Sequence, residues 1–156
     1  MINNKNTISI YECFSFYLKD RLKILKNKSI CHICGKKCKR IIKSNINIWP
    51  KILIIILDYG KEDSNIKKEV KVIFDERLYL SDFSSQKDIN QNYNLYGVVT
   101  QSGQNGRKIV ASCKTSINGE WYRFDDSQVK HIVELQKKVI EFGIPLILFY
   151  SIDDKN

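Results

Sequence analysis

Glu120-Trp121-Tyr122-Arg123-Phe124-Asp125-Asp126-Ser127-Gln128-Val129 has the pattern of a strand running into a turn. Aromatic and polar positions alternate closely enough for a half-buried strand, and the strand ends in two carboxylates. A carboxylate at a semi-buried edge beside aromatic bulk caps a turn, orients a histidine or grips a ligand. Asp and Ser are ordinary helix N-caps, so the plainest expectation is that Asp125, Asp126 and Ser127 cap a following helix. Val129, Ile132, Val133, Gln136, Val139 and Ile140 fall at helical spacing, and Gly143 then stands where such a helix would close.

Outward from this stretch the pattern is mostly strand. Residues 93–100, 108–114 and 120–124 form an antiparallel meander, with turns expected at Gly103-Gln-Asn-Gly106 and Ile117-Asn-Gly119. Residues 145–150 supply the last strand. Residues 52–57 are a continuous Ile and Leu run of the kind buried on both faces of a sheet. Residues 70–74 form a further strand. At the N-terminus, Ser9-x-x-Glu12 reads as a capping box. Ile10, Cys13, Phe14, Tyr17 and Leu18 then share one face of a helix over about residues 9–21. The fold class is therefore α+β: a mainly antiparallel sheet with an N-terminal and a C-terminal helix, in a single domain over residues 1–156.

Between helix and sheet lies Cys31-His-Ile-Cys34-Gly-Lys-Lys-Cys38. Cys-x-x-Cys followed by Gly is a knuckle turn, since Gly permits the tight backbone that aims two thiolates at one ion. Cys31, Cys34 and Cys38 are thus candidate ligands for a structural zinc. Such a site needs four ligands, and His32 lies inside the knuckle, where it would point away. A metal-free hairpin with reduced cysteines is the competing account. Five cysteines, an odd number, favour a reducing, intracellular compartment over a disulfide framework. No apolar leader precedes Ile8, and residues 52–57 are too short to cross a membrane.

In this order and spacing, Trp49-Pro-Lys-Ile-Leu-Ile-Ile-Ile-Leu57, Tyr96-Gly-Val-Val-Thr-Gln-Ser-Gly103, Gly106-Arg-Lys-Ile-Val-Ala-Ser-Cys-Lys114, the stretch from Glu120, and Leu146-Ile-Leu-Phe-Tyr150 resemble the C-terminal half of the ubiquitin-specific proteases. These are cysteine deubiquitinases. The resemblance covers about residues 8–150. It implies a finger-like hairpin over residues 28–48 and a palm-like sheet over 49–150, which in the family hold the body of ubiquitin. The Ser-Gly loop, here residues 101–106, would cover ubiquitin's tail. Ser102, Gly103, Trp121 and Asp125 match motif positions, and Gln101 stands where the family often has His.

The chemistry of the family requires a thiolate, a histidine base and an acid that orients the histidine. Asp125 matches the orienting acid. Lys108 stands in place of the histidine and Ile109 in place of the tyrosine that follows it. No Asn-Thr-Cys nucleophile box occurs in these residues. A lysine is protonated near neutrality unless strongly desolvated, and it lacks the flat ring with two nitrogens that lets an acid hold one while the other works. The matched positions instead predict an ion pair between Lys108 and Asp125. His131, on the polar side of the expected late helix, is a surface histidine.

Three functions follow. The first is a ubiquitin-binding or regulatory pseudo-enzyme, inactive alone, whose partner is ubiquitin or a ubiquitinated protein. The second is the C-terminal piece of a larger or split deubiquitinase whose nucleophile lies on another chain. The third is a small basic nucleic-acid-binding protein, suggested by the net charge of +9. The lysines around the knuckle carry few interleaved aromatics, and a solvated strand face accounts for them.

Overall fold

The structure is a computed structural model that describes residues 7–20, 23–42, 46, 48–59, 70–83, 92–102, 108–135 and 143–152. A short strand β1 (Thr7–Ser9) leads directly into α1 (Ile10–Asp20). The junction is the expected capping box. Ser9 Oγ accepts the Glu12 N–H at 3.2 Å, and Glu12 Oε2 accepts the Ser9 N–H at 2.8 Å. Ile10 is buried, Tyr11, Cys13 and Phe14 rest on the core, and the Phe14 ring meets Phe83 at 5.5 Å between centroids. Tyr17, expected on the buried face, is 52% exposed, so the helix packs mainly through its first turns.

Strands β2 (Lys23–Ile30) and β3 (Lys37–Ile42) form a separate antiparallel hairpin. Its turn closes through Gly35 N–H donating to Cys31 O at 2.8 Å and Cys31 N–H to Lys36 O at 2.9 Å. Gly35 has φ 65, a left-handed backbone that only glycine adopts cheaply.

The main sheet contains β4 (Ile52–Ile56), β6 (Arg77–Tyr79), β7 (Asn92–Ser102), β8 (Lys108–Lys114), β9 (Trp121–Asp125), β10 (Gln128–Ile132) and β11 (Ile144–Ile152). Its order is β10-β9-β8-β7-β11-β4, with β6 paired to the start of β7 and every pairing antiparallel. A small parallel pair, β1 with β5 (Lys71–Ile73), and a 3-10 turn at Ser81–Phe83 complete the described elements. The α+β class stands. One sheet face carries the core: Leu95, Val98, Trp121, Ile132, Leu148 and Tyr150 meet Ile10, Trp49, Phe74, Leu78 and Leu80. Phenol groups staple this face to the surrounding chain. Tyr93 donates to Pro50 O at 2.6 Å, Tyr150 to Asp75 O at 2.8 Å and Tyr59 to Pro145 O at 2.8 Å.

Three expectations are corrected. Residues 128–132, assigned to the late helix, are strand β10. Asp126 and Ser127 therefore do not cap a helix but form a two-residue hairpin turn, with Asp125 opposite Gln128 and Asp126 at φ 52. Asp tolerates that left-handed position, and β-branched Val129 and Ile132 suit a strand. Leu135 has helical backbone, and residues 136–142, on which the rest of the expected helix falls, lie outside the described residues. Gly143 is not among the left-handed glycines; a Cβ there would meet Gln101 O at 2.3 Å, so glycine is required by close approach. Finally, β4 is not buried on both faces. Leu53 and Ile55 pack on the core, whereas Ile52, Ile54 and Ile56 are 55%, 54% and 73% exposed.

Candidate functional site

The meander brings the end of β7, the start of β8 and the end of β9 to one corner of the sheet. Ser102 pairs with Lys108, Gln101 with Ile109, and Ala111 with Phe124, which leaves Asp125 beside the Lys108 end of β8. Residues two apart on a strand share a face, so Arg123 and Asp125 project together. Lys108 Nζ lies 2.8 Å from Asp125 Oδ1, and Arg123 lies 3.5 Å from Asp125 Oδ2. The Lys108 ion pair is the one the sequence predicts. Arg123 is an additional cation that only the strand register reveals, and Lys130 faces Arg123 from β10. The Lys108 hydrogen bond, aided by the charges of Lys108, Arg123 and Lys130, holds the Asp125 carboxyl below its usual range against the opposing effect of desolvation.

Asp125 is therefore engaged by cations. His131 sits at the other end of the β9–β10 hairpin, exposed, with Nε2 2.9 Å from Glu120 and its ring 5.3 Å from Tyr122. It is a surface residue as expected, although on a strand. His32 is exposed in the β2–β3 turn. Burial raises the thiol pKa of Cys13, which packs on the core, and that of Cys113 on β8. An activated cysteine needs the opposite shift.

The other matched positions separate on inspection. Gln101 is half-buried, its carbonyl against Gly143. Ser102, 7% exposed, supports the corner from within, whereas Trp121, 6% exposed, lies in the core at the opposite end of β9, and neither presents a broad surface to a ligand. Gly103, with the rest of the expected loop turn, lies outside the described residues. Cys31 and Cys34 occupy the knuckle turn, one half-buried and one exposed. Cys38 is paired with Ser29 through the backbone, and its side chain lies outside the description. Among the described residues no group of three or more His, Cys, Asp or Glu side chains is placed to hold a metal ion. No described helix is long and apolar enough to cross a membrane.

A model of the family described as "Ubiquitin carboxyl-terminal hydrolase" matches residues 2–150. Mouse ubiquitin carboxyl-terminal hydrolase 21 is 30% identical over 149 residues, which are 93% of this chain and 25% of that protein. Bovine ubiquitin carboxyl-terminal hydrolase 2 is 29% identical over 149 residues, 93% of this chain and 24% of that protein. The chain thus spans about a quarter of the length of these relatives. Among solved structures, the SAGA DUB module of Ubp8, Sgf11, Sus1 and Sgf73 bound to monoubiquitin is similar at a TM-score of 0.76 and 26% identity, covering 99% of this chain and 34% of that one. The same module bound to ubiquitin aldehyde gives a TM-score of 0.76 and 26% identity, covering 99% and 35%. With a family match over nearly its whole length and a sheet that superposes on that module, the chain belongs to the ubiquitin carboxyl-terminal hydrolase family.

Proposed function

We propose that this chain is a ubiquitin-binding, regulatory domain of the deubiquitinase family that does not hydrolyse ubiquitin conjugates by itself. The observation that carries this reading is the Lys108–Asp125 ion pair at 2.8 Å. A thiol protease uses its acid to orient an imidazole, which takes and returns the proton of the nucleophile. Here the matching acid is neutralised by Lys108 and Arg123, and Cys13 and Cys113 have thiols pushed away from the reactive thiolate. Ubiquitin as partner is supported by family membership and by likeness to a module solved with monoubiquitin and with ubiquitin aldehyde. Gln101 would lie beside the ubiquitin tail, backed by the buried Ser102, with Asp125 at the neighbouring corner. A second polypeptide carrying the remainder of a family catalytic domain is a further partner under the same reading.

The activity half of the proposal is tested with ubiquitin carrying a fluorogenic amide at its C-terminus. The expected result is no release above buffer at high enzyme concentration. Turnover that disappears on thiol alkylation would contradict the proposal.

A further inference from the structure

Residues 23–42, the β2–β3 hairpin, contain seven Lys and Arg and no Asp or Glu. Three of the lysines lie on β2, Lys36 and Lys37 stand where the turn meets β3, and Lys39 and Arg40 follow on β3. The rest of the chain has 19 Lys and Arg against 17 Asp and Glu, so seven of the nine net positive charges sit in this one element. A lysine-rich composition raises lysine everywhere; it does not remove every acid from one hairpin. A solvated surface ordinarily mixes both signs, because like charges crowded together repel. A block of one sign without counter-charges marks an interaction arm.

The fold sets this block apart. The hairpin forms a two-stranded sheet of its own, and Lys36 and Lys37 are exposed. We propose that the β2–β3 hairpin binds duplex nucleic acid, held through its phosphates without reading the sequence. Shape and composition select this partner among polyanions. A two-stranded ribbon fits the major groove of a duplex. The eight residues of β2 span up to about 26 Å, roughly eight base pairs. Residues 23–42 contain no Phe, Tyr or Trp, so unpaired bases find no ring to stack on and a single strand is the poorer ligand. An anionic lipid surface is gripped by bulky apolar side chains set among lysines. The tip offers only Ile30 and Ile33 for that purpose, 58% and 96% exposed. Duplex binding at the hairpin is independent of the ubiquitin reading, which rests on the corner at Asp125.

The test follows the fluorescence anisotropy of a labelled DNA duplex of about 20 base pairs as the full chain is added. The expected results are saturable binding that weakens steeply with salt, equal affinity for two unrelated sequences, and weaker binding of either strand alone. The double variant Lys36→Glu, Lys37→Glu should bind about tenfold or more weakly and lower the slope of log affinity against log salt by about 2. The double variant Lys51→Glu, Lys71→Glu makes the same change of charge outside the hairpin and should keep the parent's slope and its affinity within about threefold. All four lysines are exposed, so both variants keep the fold, which circular dichroism checks. No binding at low salt, equal loss in the two variants, tighter binding of the single strand, or binding to phosphatidylserine vesicles without binding to the duplex would overturn the proposal. Failure of ubiquitin binding would leave it standing, and its own failure would leave the ubiquitin reading untouched.

Discussion

Asp125 carries the electrostatics of the corner. Its folded pKa lies below the ordinary value, about 3.9 for a free Asp, because Lys108 and Arg123 favour the charged form. The stability this provides is present above about pH 4 and is lost as pH falls through the depressed folded value. Asp125→Asn should lower the Tm at pH 7, and the gap from the parent should close as both proteins are melted at progressively lower pH below 4. A gap independent of pH would mean that the substitution acts through packing. The tyrosines act at the other end of the scale. Burial pushes Tyr93 up to about 12 and also raises Tyr59 and Tyr150. A folded pKa above the unfolded one leaves stability intact below about pH 10 and removes it as pH rises further. Each phenol that ionises only on unfolding adds a slope of about 1.4 kcal/mol per pH unit. Absorbance at 295 nm should therefore show the last part of the phenolate signal appearing only together with loss of structure, and ionisation of all eight tyrosines in a still-folded protein would contradict this.

At the scale of elements, Gly143 and Gln101 tie the start of β11 to the end of β7. A Cβ at position 143 would lie 2.3 Å from a backbone oxygen, which no side-chain motion relieves. Gly143→Ala should cost about 1–3 kcal/mol by denaturant unfolding and displace the backbone at Gln101 and Ser102. Unchanged stability would show that the strands separate there freely. The same elements show what a sequence discloses. The capping box at Ser9 and Glu12, the meander and the Lys108–Asp125 pair were legible because each depends on local chemistry or on fixed register. The start of the late helix was misread because Val129, Ile132 and Val133 fit a helical period as well as a strand, and Asp126-Ser127 lacks the glycine that usually marks a two-residue hairpin turn. The open face of β4 was not legible either. An apolar run states that a face is suited to cover, and only the assembled layers state whether cover is present. Arg123 was missed because its role comes from sharing a strand face with Asp125, which the composition of the segment does not advertise.

For the whole molecule, the seven-stranded sheet of the described residues carries its core on one face, and Ile52, Ile54 and Ile56 of β4 are exposed on the other. The chain matches over 99% of its length to 34% of a chain of the SAGA DUB module. Under the function proposed above, these residues by themselves hold ubiquitin weakly, with a Kd on the order of 0.1 mM. The measurement that bears most directly on the proposal is a titration of isotope-labelled ubiquitin with this chain, followed by NMR. The account predicts saturable shifts on the hydrophobic face of ubiquitin and an intact ubiquitin tail at the end of the titration. Unshifted spectra at concentrations well above that Kd would contradict it and leave the chain sharing the fold of its family without the binding.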